Sequence, residues 1–238
     1  MTSKTDFRNQ RRGMFYWQDK KPYVSVTNVL KVIDKPALRY WFGKQVYLAM
    51  TVDPTMNEKE ALAAPYKKSK KAMNRGTTVH SIVEAYKKTG AVIDSVPEDY
   101  QGYAKAFYKW IDDNKIEVVE NEKTVVSESM GYAGTLDMMV KKNGTETWII
   151  DVKTGKDIYA EAHIQLSAYK HALKEDFGQK IDRMGVLLLK ENGNYKFEEA
   201  DDNIDVFLAC QQIWYFLNKE DCDKVGYVKR GGDVNGQR

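Results

Sequence analysis

Long apolar runs are missing from this chain, and so is a leader-like start. No stretch approaches the roughly 20 consecutive apolar residues that cross a bilayer. The opening MTSKTDFRNQRRGM carries no apolar segment of the secretory kind. A membrane role is excluded on this reading, and an intracellular setting is expected. Cysteine is scarce too, with Cys210 and Cys222 alone. Two cysteines far apart in a chain without an export signal read as reduced thiols rather than a disulfide. They are also too few to supply the four ligands of an iron–sulfur cluster. Internal repeats and low-complexity segments are absent. No G-x-x-x-x-G-K-S/T phosphate loop occurs either, since neither GKDIYAE nor RGTTVH fits it.

What is present is a chain of 238 residues, 42% hydrophobic and 30% charged. That suffices for one well-filled core with a small appended lobe and is ordinary for a globular enzyme. A net charge of +3 does not by itself indicate an anionic partner. The distribution says more: Arg8, Arg11, Arg12, Lys20 and Lys21 crowd the first segment, and Lys67, Lys68, Lys70, Lys71 and Arg75 form a second cluster. Such clusters either neutralise phosphates or make a solvated helix face.

Periodicity assigns the elements. GMFYWQDKKPYVSVTNVL reads as two short strands around a DKKP turn, with a helix beginning near Thr27. Pro36 suits the first turn of a helix carrying Leu38, Trp41, Phe42, Val46 and Leu48. After Pro54, Asn57 can cap a helix rich in Ala and Lys. Residues 1–75 thus form a mostly helical lobe of the same globular unit. Thr77 or Thr78 is expected to cap a further helix that stops at Gly90, and Val96-Pro97 opens another. Three strands follow at 117–127, 132–141 and 145–153, the last two joined by an Asn143-Gly144 hairpin. A helix over 158–176, an apolar strand over 184–189, a short strand over 195–199 and a helix over 204–218 complete a core spanning 76–220. Residues 221–238 read as a tail. The order predicts an α/β fold, a mixed central sheet flanked by helices.

Asp137 lies in GYAGTLDMMV, near the middle of an apolar strand. An unpaired carboxylate there would cost several kcal/mol, so a compensating partner is required. Asp151 closes the apolar run TWII, and Lys153 follows two positions on. Strand alternation puts Asp151 and Lys153 on one face and turns Val152 to the core. The hairpin lays the two strands side by side, so that both carboxylates reach one ion. Carboxylates sharing Mg²⁺ or Mn²⁺ beside a lysine are the parts needed to cut a phosphodiester. Lys153 would orient the attacking water or take its proton, and a neighbouring cation would depress its pKa. An isolated Asp-x-Lys is usually an ordinary ion pair. Its combination with GxxD, a hairpin, an apolar run and DVKTGK sets this one apart.

GTLD, IIDVKTGK and QLSAY, in that order, resemble the RecB-like branch of the PD-(D/E)xK nucleases. That branch includes CRISPR-adaptation exonucleases and the mitochondrial genome maintenance exonuclease. The resemblance covers about residues 76–190, with a weaker echo at YVSVTNVL, and implies a restriction-endonuclease-like core. Its motifs fall on Asp137, Asp151 and Lys153. It further implies His80, in RGTTVHSIVEAY, as a metal ligand, a metal contact from the Val152 carbonyl, and Gln165 and Tyr169 as the Q-x-x-x-Y pair. Glu84, one turn after His80, and Glu122 are candidates to bind or orient the ligands from outside. Lys67, Lys68, Lys70, Lys71 and Arg75 are candidates for substrate contact, and His163 and His171 read as surface residues. Phe15, Tyr16 and Trp17 would either stack bases or form a core strand.

The activity implied is a Mg²⁺- or Mn²⁺-dependent DNA exonuclease acting on single strands or DNA ends, in replication, recombination or repair. DNA is the implied partner, and unwinding would come from a helicase or recombination protein. Some relatives carry a four-cysteine cluster that this chain lacks, so no iron–sulfur cluster is expected. A structure-selective or double-strand endonuclease and a catalytically silent DNA-binding module are the alternatives.

Overall fold

The computed structural model describes residues 11–89 and 96–230. Arg8, the helix stop at Gly90 and the GGDVNGQR tail lie outside the described residues. The chain begins with β1 (Arg11–Arg12) and a hairpin of β2 (Phe15–Gln18) and β3 (Lys21–Ser25). Asp19 and Lys20 form its turn, both at positive φ, 48° and 66°. This two-residue geometry matches the right-handed twist of paired strands. Phe15 packs on Trp214 and Tyr227, Tyr16 is buried and Trp17 is half-buried. The core therefore claims the aromatic surface that was a candidate for base stacking.

Next come α1 (Val26–Val29), a single 3-10 turn (Leu30–Val32), and α2 (Pro36–Val52). Pro36 occupies the first turn of α2, where a missing N–H removes no helical bond. Helix α3 (Glu58–Thr89) is 32 residues long. It starts with a capping box: Asn57 Oδ1 accepts from the Glu60 N–H at 3.0 Å, and Glu60 Oε2 accepts from the Asn57 N–H at 3.1 Å. The second helix start expected at Thr77 or Thr78 does not occur. Both hydroxyls donate back to the carbonyls of Met73 and Asn74, and the helix runs on through Gly76. The expected division at residue 75 falls inside this one helix.

Then follow α4 (Glu98–Asn114), β4 (Ile116–Ser127), β5 (Tyr132–Lys142), β6 (Glu146–Lys153), α5 (Ala160–Phe177), β7 (Arg183–Leu189), β8 (Tyr195–Glu199), α6 (Ile204–Leu217) and α7 (Lys219–Val225). The segment read as a tail thus opens inside a helix, and Cys222 and Tyr227 are buried. One sheet runs β1-β2-β3-β5-β6-β7-β8, with β4 also on β5. The β3–β5 and β6–β7 pairs are parallel and the others antiparallel. An apolar core on one face packs under α5 and α6, and a second on the other face under α3 and α4. Burial on both faces drives this layered assembly.

The site is prepared by a break in the middle of that sheet. Strand β4 follows one edge of β5 from Tyr132 to Lys142. The other edge is shared: β3 pairs with Tyr132 and Ala133, whereas β6 pairs from Met138 onward. Among the described residues, 134–137 have no strand partner on that edge. Facing changes there as well, since Leu136 packs under α5 and Met138 under α4. The neighbouring strand breaks in step. Lys123 reaches over Phe177 of α5, while Asn121 donates to the Val83 carbonyl of α3. Glu122, between them, has φ 51° and drops out of the ladder opposite Asp137. A non-glycine residue held there costs about 1–3 kcal/mol, so the surrounding pairing must enforce it.

Candidate active site

Three side chains converge on the break. His80, from α3, brings Nδ1 to 3.5 Å from Asp137 Oδ1 and 3.6 Å from Glu122 Oε1. One ligand atom from each of the three lies within 4.8 Å of the others. Asp137 Oδ2 accepts the Val152 N–H at 2.7 Å. The carboxylate thereby replaces the strand partner that β6 loses, which is the compensation its apolar setting requires. The Val152 carbonyl, expected to touch a metal, instead lies 3.1 Å from His80 Nε2. A donor role for Nε2–H fixes the ring so that Nδ1 faces the two carboxylates. Burial by itself would lower the imidazole pKa. The charges of Asp137 and Glu122 outweigh it and push His80 up to about 9.

A second group lies on the α5 side. Asp151 is 1% exposed, and Lys153 Nζ sits 2.8 Å from its Oδ1 and 2.6 Å from its Oδ2. The Oδ2 contact is ionic, since no hydrogen bond reaches that buried oxygen among the described residues. Gln165 Nε2 lies 3.1 Å from Asp151 Oδ1 and 3.0 Å from the Tyr169 hydroxyl. Burial pushes the Asp151 carboxyl up to about 6, against the pull of Lys153. For Lys153, burial alone would lower the pKa, but Asp151 and Asp137 together raise it above the usual lysine range. The depression expected beside a cation would have to overcome these two carboxylates.

Burial also holds the Tyr169 phenol well above its ordinary range, so Tyr169 stays protonated and reaches the site through Gln165. Its ring requires Gly134: a Cβ at that position would lie 2.5 Å from the ring.

Asp137 and Asp151 are the next residues beyond the last β5–β6 pair, Met138 with Ile150. Asp151 turns toward Gln165 and Asp137 toward Val152, yet their charges still couple. Asp151 stands outside the His80–Glu122–Asp137 cluster. Glu122, read only as an outer residue, is inside it. A sequence signal for this exists: adjacent valines at 118–119 and 125–126 break the two-residue alternation of a regular strand.

Glu84 lines a hollow with Gly76, Thr77, His80, Ser81 and Glu122. A groove on the other side is lined by Thr27, Lys31, Lys35, Lys153, Tyr159 and Gln165, among others. The cationic run on α3 divides. Lys68 donates to Gln45 of α2, and half-buried Arg75 interacts with Tyr103 of α4. Lys67, Lys68, Lys70 and Lys71 are all exposed. His163 and His171 are partly covered and face Glu198 and Asp202 at 3.5 and 3.1 Å. Cys210 and Cys222 are free and buried. Among the described residues, no helix is long and apolar enough to cross a membrane.

Solved structures with a similar arrangement include an alkaline exonuclease from Laribacter hongkongensis. It is 13% identical, covers 86% of this chain and 95% of its own, and has a TM-score of 0.39. The same enzyme in complex with dAMP gives 12%, 85%, 94% and 0.38. A candidate exonuclease from Eubacterium rectale gives 14%, 91%, 87% and 0.33. No curated protein matches the sequence. A family model does, that of the PD-(D/E)XK nuclease superfamily, over residues 55–215. That span holds His80, Glu122, Asp137, Asp151 and Lys153 and exceeds half of the chain, so the protein belongs to the PD-(D/E)XK nuclease superfamily.

Proposed function

We propose that this protein is a divalent-cation-dependent deoxyribonuclease that degrades linear DNA from its ends. The observation that carries this reading is the convergence of His80, Glu122 and Asp137 at a break in the sheet, next to a buried Asp151–Lys153 pair. Two carboxylates and an imidazole suit a hard or borderline cation such as Mg²⁺ or Mn²⁺. His80, Glu122 and Asp137 would hold it, with Asp151 the adjacent further carboxylate. Such an ion supplies Lewis-acid charge to a phosphodiester and its attacking water.

The chain's own groups do the rest. Lys153, whose Nζ lies 2.6 Å from Asp151 Oδ2, orients the attacking water or takes its proton. Gln165 fixes Asp151, and Tyr169 fixes Gln165, which makes both positioning residues. The preference for ends is supported by the resemblance of GTLD, IIDVKTGK and QLSAY to exonucleases of the RecB-like branch.

End-labelled linear and covalently closed circular DNA, incubated with Mg²⁺ or Mn²⁺, tests the reading. Linear single strands or duplexes should shorten, circles should survive, and chelator or Asp137→Asn should stop the reaction. Cleavage of circles would make the enzyme an endonuclease. Intact DNA under every condition would sink the catalytic reading.

A further inference from the structure

Helix α3 carries an exposed stripe that leads into the candidate site. Successive residues turn by about 100°, so positions spaced three and four apart share a face. Tyr66, Lys70, Met73, Thr77, His80 and Glu84 have this spacing. Tyr66 and Met73 are each 66% exposed, and Lys70 and Thr77 are exposed as well. The hollow lined by Thr77, His80, Glu84 and Glu122 opens where the stripe ends. From Tyr66 to His80 the rise is about 21 Å.

Charge and chemistry suit one kind of occupant. Between Glu60 and Glu84 the helix holds five cations and no carboxylate, which favours a polyanion. The Tyr66 ring leans edge-on against Phe42 of α2, at 5.3 Å between centroids, yet keeps two thirds of its surface open. A braced, exposed aromatic beside a lysine is how sequence-tolerant binders hold an unpaired strand. The five cations are not equivalent. Lys70 shares the face of His80, whereas Lys68 donates to Gln45 of α2 and Arg75 is half-buried.

We propose that Tyr66, Lys70, Met73 and Thr77 form the track along which a single DNA strand reaches the His80 cluster. Bases rest on Tyr66 and Met73, and a phosphate sits at Lys70. This deepens the nuclease reading and rests on it.

Fluorescent oligo-dT, titrated by anisotropy in chelator so that no turnover occurs, tests the track. Tyr66→Ala should weaken binding about tenfold. Lys70→Ala should also flatten the slope of log affinity against log salt by about 0.7, the signature of one lost single-strand phosphate contact. Lys68→Ala removes the same charge from another face, and Tyr47→Ala removes an equally exposed ring, 68% open, from α2. Both should bind within twofold of the wild type.

Equal losses for Lys68→Ala and Lys70→Ala would mean a diffuse charge effect and overturn the track. So would a wild type that dimerises through Tyr66, seen as a monomer on sedimentation of Tyr66→Ala. Cleavage of the same oligonucleotide with Mn²⁺ separates the two readings. Cleavage with unaltered affinity in the track variants sinks the track alone, and track-dependent binding without cleavage sinks the nuclease reading alone.

Discussion

Two regions of this molecule depart from the usual burial rule in opposite directions. At the β5–β6–α5 corner a carboxylate, Asp151, lies 1% exposed among apolar neighbours. On the α2–α3 hairpin, Tyr40, Tyr47, Tyr66, Met73 and Val52 are each more than 60% exposed. A buried charge and an exposed apolar surface each cost folding free energy. The corner recovers part of that cost by pairing: Lys153, Gln165 and Tyr169 form a chain of contacts onto Asp151. The hairpin recovers little, since Gln45 is the one residue of α2 that is buried.

The corner should be sensitive and the hairpin tolerant, and substitutions can break or sharpen that contrast. The largest effect is expected at Lys153. Lys153→Ala should lower the cleavage rate by about 10²–10⁴ while circular dichroism reports an unchanged fold, and full activity would remove Lys153 from the reaction. Gly134→Ala comes next. Its Cβ would press on the Tyr169 ring at 2.5 Å, a misfit worth about 1–3 kcal/mol of stability, readable by denaturant titration.

A pH effect follows from His80. Its folded pKa, about 9, lies above the ordinary value of about 6.5, so the imidazolium stabilises the fold fully below about pH 6.5. That contribution disappears as pH rises through about 9. In chelator, the Tm of the wild type should therefore fall more steeply from pH 6.5 to 9 than that of His80→Gln. Parallel profiles would show that Asp137 and Glu122 do not hold the ring charged. The smallest effect is expected on the hairpin, where Tyr47→Ala should shift stability by no more than about 0.5 kcal/mol. A larger loss would show that the ring packs against the fold despite its 68% exposure.

Much of the fold is legible in the residues, for local reasons. The strands read at 117–127, 132–141 and 145–153 end within about a residue or two of those observed. Their alternation and the Asn143-Gly144 turn, with φ 52° and 72°, are properties of neighbouring residues. Asp151 and Lys153 share a face for the same reason, and Gln165 meets Tyr169 because they lie one helical turn apart.

The remainder depends on distant pairing. Glu122 joins His80 and Asp137 only because β4 and β5 break in step, which a single strand pattern signals faintly. The Val152 carbonyl turns to His80 because α3 passes the end of β6, a packing relation between residues 72 positions apart. The helix start read at Thr77 fails because its hydroxyl bonds equally well to the preceding helical turn.

The central claim is that the broken ladder gathers His80, Glu122 and Asp137 around one divalent ion. Anomalous scattering from a crystal grown with Mn²⁺ tests this most directly. The account predicts a single strong peak within bonding distance of His80 Nδ1 and of carboxylate oxygens from Glu122 and Asp137, lost in Asp137→Asn. Manganese found elsewhere on the protein, with these three side chains unligated, would contradict it.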